Sequence, residues 1–451
     1  MIFNQSFEIE RFITSISWDT LPEDVREQAI MCATDLFGAL ILGSYGVQCQ
    51  AGVNVANLCG LKGSIPILGA DHIDKCGDYN LLGASIIYGH QSNSFDIDDG
   101  NRQICGHPGA SFIGGVLAAA LQNKIDYKQF LSTLVACYEV TIRWAIAMQD
   151  HYGYLHSTGA YGSFGTAAGI GKILNLSLEQ LKNALSIADY HAPMTPVMRA
   201  VEYPSMNKDG VPFGSLTGCM AVLETLCGST AKTHLLEMPE YRYLTEDLGH
   251  RYYIKELYFK PYTCCRWAHQ PIRACIDLKK RYSFEHTDIK AVTVHTFDSA
   301  ARLSKIKPKD TDEAQYNIAY PVATAIVNGD VGYNQICDKA LSDSSVLSMM
   351  DRLSFVVDPE LDSQFPAKRL AWVEVFLNDG RCVKSDIYEA EGEPDDMNLG
   401  LEWISMKFKR ITRPMLDSEG QDRILSCLST ASDMKINDIV RAVSDSLIPV
   451  I

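Results

Sequence analysis

The chain has 451 residues, 47% of them hydrophobic, with a formal net charge of −15 and an isoelectric point near 5.2. That length suits two or three domains with real cores, while the acidic balance excludes non-specific binding to nucleic acid or to an anionic membrane, both of which need a basic surface. Its 14 cysteines are scattered without a CxxC spacing, which points to reduced thiols in a cytoplasmic protein rather than a disulfide scaffold or a zinc site.

The first residues, MIFNQSFEIERF, lack the basic and apolar regions of a secretory signal, and the most apolar early window, Ile30 to Gly43, carries Asp35 in its middle. Neither export nor a membrane span is expected. From Leu21 to about Gly228 apolar residues recur at three- and four-residue spacing, predicting helices over Pro22–Leu42, Ala110–Gln122, Tyr127–Met148, Gly162–Leu174, Leu178–Ala188 and Gly214–Leu226. These segments are rich in Ala, Gly and Ser, so their axes can approach closely in a compact bundle. The glycines of GSFGTAAGIGKIL each cost about 1 kcal/mol of helix propensity against alanine, so a close neighbour is expected there.

After about Arg266 the period changes. Ile289–Thr296 and Ala371–Leu377 alternate like half-exposed strands, and Asn378-Asp379-Gly380 leads into Arg381–Ile387 as a hairpin. Helical spacing returns in LEWISMKFKRI and QDRILSCLSTA. The expected fold is therefore mainly α: a large all-helical domain with a smaller α+β lid. Residues 1–265 form the first part of the helical domain, 266–396 the lid, and 397–451 helices that rejoin the first part.

The segment Ser94–Pro108, SFDIDDGNRQICGHP, places Asp96, Asp98, Asp99 and His107 in one turn-prone stretch. A carboxylate and an imidazole can divide a proton transfer between them. The plainer alternative is that the aspartates cap the next helix and His107 is a turn residue. Further polar candidates are His156 among glycines and hydroxyls, Lys208 in MNKDG ahead of a glycine-rich helix, and Lys260, Arg266 and His269 in FKPYTCCRWAH at the expected domain boundary, where ligands are often held. The adjacent Cys264 and Cys265 read as buried small hydrophobes rather than a catalytic thiol.

Taken in order, DIDDG with GHPGA, then HSTGAYGSFGTAAGIGKIL, SMNKDG, KPYTCCRWAHQ and AQYNIAYPVATAIVNGD resemble the MmgE/PrpD superfamily, over nearly the whole chain. That superfamily includes 2-methylcitrate dehydratases, cis-aconitate decarboxylases and iminodisuccinate epimerases. The resemblance implies a homodimer, a site in the cleft between helical domain and lid, and no metal, iron–sulfur cluster or organic cofactor. It implies catalytic roles for Asp96, His107, His156, Lys208 and Tyr320 and a place in the site for His269, with Arg266, Arg102, Asn101 and Lys260 as further substrate-binding candidates. Members resembling cis-aconitate decarboxylase carry a threonine directly after the acidic cluster, where this chain has Gly100 and Asn101.

The reactions share the making or quenching of a carbanion beside a carboxylate, which calls for a strong local positive field. The expected activity is a cofactor-independent lyase on a small di- or tricarboxylate, foremost a 2-methylcitrate dehydratase-like hydro-lyase. The alternatives are an epimerase of a carboxylate or imino acid, then a cis-aconitate decarboxylase-like enzyme, and in a different class a non-catalytic carboxylate binder.

Overall fold

A computed structural model describes residues 7–448; the opening MIFNQS, on which part of the reading against a secretory signal rests, lies outside the described residues. The expected helices are present with small shifts at their ends: Glu23–Gly43, Pro108–Asn123, Tyr127–Tyr152, Gly159–Ile173, Leu178–Tyr190 and Val211–Leu226. Pro108 opens its helix at the first turn, where a missing N–H loses nothing. Tyr127–Tyr152 is long and apolar enough to cross a membrane, yet 94% of its apolar window is buried inside the protein.

Backbones rather than side chains set the spacing of the central helices. A Cβ on Gly162 would lie 2.6 Å from the Ser111 carbonyl oxygen, and one on Gly218 would lie 2.3 Å from that of Ser163. The helices Pro108–Asn123, Gly159–Ile173 and Val211–Leu226 thus touch through their main chains, as the small-residue texture predicted. The helix Leu81–Asn93, which the sequence reading did not single out, packs against Pro108–Asn123 and leads into the acidic segment.

The sheet holds strands in the order Leu353–Val357, Ile289–Thr296, Leu370–Leu377, Cys382–Lys384, with Tyr388–Glu389 pairing the start of Leu370–Leu377. Leu353–Val357 runs parallel to Ile289–Thr296, and the other pairings are antiparallel. Alternate residues Val292, Val294, Val373 and Val375 are buried, and the helix His269–Tyr282 covers the sheet. The hairpin's return strand is shorter than the predicted Arg381–Ile387. At Ser385 the side-chain oxygen accepts the Val373 N–H at 2.9 Å, so the regular ladder stops there. Beyond the sheet, Leu401–Thr412 packs on Glu23–Gly43, and Ile436–Ser444 on Pro108–Asn123.

Replacing Gly218 by alanine forces a methyl group against the Ser163 carbonyl. Overpacking of this kind destabilises by about 1–3 kcal/mol, read as a lowered midpoint in chemical unfolding; an unchanged midpoint would show that these helices can separate freely.

Candidate active site

The acidic segment is fixed by a short antiparallel pairing of Gly100 and Asn101 with Tyr258 and Leu257. Position 100 must be glycine, because the Tyr258 ring stands 2.2 Å from where its Cβ would be. Two residues after Tyr258, Lys260 is thereby carried onto Asp96. Its Nζ donates to Asp96 Oδ1 at 2.6 Å and to the Asp96 carbonyl at 2.9 Å, and lies 3.9 Å from Asp98 Oδ1. A second buried lysine, Lys407 of the helix Leu401–Thr412, donates to the Ile97 carbonyl at 2.7 Å and pairs with Asp35.

The three aspartates have different fates. Asp99 Oδ1 accepts the Gly109 N–H at 3.0 Å in the first turn of Pro108–Asn123, and its other oxygen accepts the Tyr138 hydroxyl. The plain capping reading therefore holds for Asp99, and burial pushes its pKa up to about 7. Asp98 accepts from Asn93 Nδ2 at 3.0 Å. Asp96 and Asp98 each keep one buried carboxylate oxygen with no hydrogen-bond partner among the described residues, that of Asp98 lying 3.4 Å from His107 Nδ1.

His107 stands over this pair. Its Nδ1 donates to the Asp99 carbonyl at 2.9 Å and lies 3.4 Å from Asp98 Oδ2, while Nε2 stands 3.7 Å from Asp96 Oδ1. The His107 main-chain N–H is held in turn by the hydroxyls of Thr158 and Tyr161, at the start of Gly159–Ile173. His107 retains 8% exposure while Asp96, Asp98 and Lys260 retain none, so the imidazole is the member of the cluster that an incoming molecule meets. One donor atom each from Asp96, Asp98 and His107 lie within 4.8 Å of one another, a spacing a cation could use. The Lys260 ammonium already sits on both carboxylates, so the set is better described as an ion cluster completed by lysine.

Lys208 approaches from another side. Its Nζ donates to Asp312 Oδ1 at 2.8 Å, and both Asp312 oxygens also accept from Gln48 Nε2, at 2.7 and 2.8 Å. Asp312 belongs to the short helix Thr311–Gln315, whose Gln315 donates to the Ser94 carbonyl at 3.0 Å. Burial alone would lower the Lys208 pKa, but Asp312 and Asp96 hold it above the ordinary lysine value. The next residue, Asp209, is forced into a left-handed backbone (φ 59°) and accepts the Tyr316 hydroxyl at 2.6 Å.

The remaining candidates are placed as follows. His156 is buried with both ring nitrogens unpartnered among the described residues, under the stacked Tyr154 ring, and burial lowers its pKa. His269 donates from Nε2 to the Cys264 carbonyl at 3.0 Å and faces Arg266; burial, then the Arg266 charge, hold it well below the usual histidine range, hence neutral. Arg266 and Arg102 both bind Glu393, each at 2.7 Å, and Arg102 also binds Glu389 at 2.9 Å. Their guanidinium groups tie chain segments together instead of standing free for a substrate. Asn101 Oδ1 accepts the main-chain N–H groups of Gln103 and Ile104, which shapes the turn.

Tyr320 is the clearest departure from the sequence reading. Its hydroxyl donates to the carbonyls of Gln335 and Ala340 and makes no hydrogen bond with Asp96 or His107; Tyr316, four residues earlier at the end of the helix Thr311–Gln315, is the tyrosine joined to Asp209 beside Lys208. All the cysteines are free, and burial pushes the Cys265 thiol up to about 12, so no activated thiolate is found there.

Sequence reasoning also passed over Lys407 and Asp312. Lys407 left a signal, since it sits in the buried stripe Ile404, Lys407, Phe408, Ile411 of its helix. Asp312 left none, because TDEAQ reads as a solvated helix start. Beside Lys208 opens a cleft of about 420 Å³, lined among others by Ser157, Thr195, Arg199, Asn207, Lys208 and Phe213. No carboxylate side chain lines it.

Lys260→Met strips the counter-charge from a buried carboxylate, and the expected loss is about 3–5 kcal/mol of folding stability, measured by denaturant titration; a loss below about 1 kcal/mol would mean that the cluster is not held by this pair. Asp99 gives a pH signature. Its folded value of about 7 lies above the ordinary 3.8, so the native state holds the extra proton and this group's contribution to stability falls as pH rises from about 4 to about 7. Asp99→Asn should therefore gain stability relative to the parent protein across that window, and a constant difference would contradict the assignment.

With this geometry in hand, comparison with known proteins gives two concordant results. Residues 8–244 match the MmgE/PrpD N-terminal domain and residues 262–431 the MmgE/PrpD C-terminal domain. Across 98% of both chains the sequence is 23% identical to the cis-aconitate decarboxylase-like protein oryM of Aspergillus oryzae. The two domain matches fall in tandem and together take in the acidic segment, Lys208 and Lys407, with Lys260 in the short stretch between them, and on that basis the chain belongs to the MmgE/PrpD family.

Proposed function

We propose that this chain is a cofactor-independent lyase that removes a proton next to a carboxylate of a small di- or tricarboxylic acid, with 2-methylcitrate dehydratase-like hydro-lyase chemistry as the leading reaction. The observation that carries this reading is the setting of His107: Nδ1–H held on the Asp99 carbonyl, Nε2 with no hydrogen bond among the described residues, and the Asp96–Lys260 pair beside it. A base with a fixed tautomer and one open nitrogen is arranged to take a proton.

Charge bookkeeping supports the same assignment. Asp35, Asp96 and Asp98 face Lys260 and Lys407 in this buried region, so three carboxylates meet two ammonium groups and one negative charge is left over. An imidazolium at His107 balances it, which stabilises the moment at which the proton has been taken. The substrate carboxylate beside the reacting carbon gains negative charge at that same moment. Lys208 is the cation for it, with the Asp312 carboxylate holding its place until an acid arrives. Loss of a β-hydroxyl then needs a general acid, and the Tyr316 hydroxyl, bonded to Asp209 next to Lys208, fills that role.

Decarboxylation is the second reading, favoured by the name of the Aspergillus oryzae relative. Incubation with 2-methylcitrate, citrate, cis-aconitate and iminodisuccinate in deuterated buffer separates the cases. A new alkene from the hydroxy acids supports the hydro-lyase, and carbon dioxide release from cis-aconitate supports the second reading. Deuterium at the α-carbon without net product marks an epimerase, and a folded protein that exchanges nothing is a binder. His107→Asn is expected to lower turnover by about 10²–10⁴-fold without unfolding the protein; near-normal rates in that variant would remove His107 from the chemistry.

A further inference from the structure

The cleft beside Lys208 is a region of positive charge on an acidic chain. Arg199 lies on the helix Val197–Glu202 at its rim, exposed, and its guanidinium makes no ion pair or hydrogen bond among the described residues. Arg102, Arg266 and Arg143, by contrast, are spent on carboxylates. The helix carrying Arg199 is held at both ends. At its start, Ser157 donates its N–H to the Thr195 carbonyl at 2.7 Å and Val197 donates to the Leu155 carbonyl at 2.9 Å. At its end, Glu202 pairs with Arg302 of the sheet-bearing part. The first of these ties bridges the main chain of His156 to that of Pro196, three residues before Arg199, and the cleft that Arg199 borders contains the hydroxyls of Ser157, Thr195 and Ser205.

We infer that Arg199 is a specificity-determining residue: it binds a carboxylate of the substrate remote from the reacting carbon, and so selects acids with two or three carboxylates over monocarboxylates. This rests on the carboxylate reading given above and adds to it the residue that counts the charges. Three features support the role. A guanidinium presents paired N–H groups that match a carboxylate in the plane. Arg199 needs no partner broken before it can bind, unlike Lys208. The cleft it borders contributes no carboxylate side chain that would compete for it.

Calorimetric titration with tricarballylate, a tricarboxylate with no hydroxyl to eliminate, and with butyrate tests the inference without relying on turnover. The parent protein is expected to bind tricarballylate the more tightly. Arg199→Ala should weaken tricarballylate binding at least tenfold while leaving butyrate within about twofold, and Arg199→Lys should fall between, because it keeps the charge and loses the fork. Unchanged tricarballylate affinity in Arg199→Ala, or an equal loss for both acids, overturns the role of Arg199 and leaves the reaction to be judged by the substrate panel. A parent protein that binds neither acid overturns both this inference and the carboxylate reading on which it rests.

Discussion

The structure turns on the burial of an acidic segment. Asp96 and Asp98 are sealed from water, and such groups stay ionised in a protein interior only when opposite charge is delivered to them. The delivery comes from far along the chain. A two-residue strand pairing sets Lys260 over Asp96, and the return of the C-terminal helix sets Lys407 against Asp35 and the carbonyl of Ile97. Pairs of this type add little net stability, yet leaving one member alone is expensive. They act as a registration device: the first third of the chain, the stretch around residue 260 and the C-terminal helices have to be in place together before the segment is at rest.

From that constraint the chemistry follows. Asp99 is consumed by the helix that begins at Pro108, and its main-chain carbonyl fixes which nitrogen of His107 is open. The groups proposed to handle the proton are thus held by the protein's own contacts, as preorganised catalysis requires. The cations that would meet a substrate belong elsewhere, with Lys208 held by a carboxylate from the sheet-bearing part and Arg199 unpaired at the cleft. In the proposed reaction, proton transfer and charge recognition thus fall to separate groups of side chains.

Much of the fold was legible in the order of residues. Helices with apolar periodicity were found within a few positions of their true ends, and Ile289–Thr296 was placed to the residue because alternation over eight positions has little other meaning. What escaped notice depended on tertiary contact. The return strand after Gly380 looks longer in the sequence than it is, because nothing there says that Ser385 will accept the Val373 N–H with its side chain in place of its main-chain carbonyl. Tyr320 and Tyr316 are indistinguishable as residue types four positions apart; only the seating of the helix Thr311–Gln315 beside Lys208 decides that Tyr316 reaches Asp209. In the acidic segment the cap and site readings were both partly right, since they apply to different aspartates.

The turn between Asp99 and Gly109 has one more property. Its foot is fastened three times, by Asp99 to the Gly109 N–H, by His107 to the Asp99 carbonyl, and by Asn101 N–H to the Gly106 carbonyl at 2.9 Å. The tip, residues 102–105, is tied outward instead, by Arg102 to Glu389 and Glu393, by the Ile104 carbonyl to Gln149 and by Cys105 to Arg369. A change of length there would therefore be felt first in those distant segments, while the three fastenings at the foot keep the imidazole over the acids.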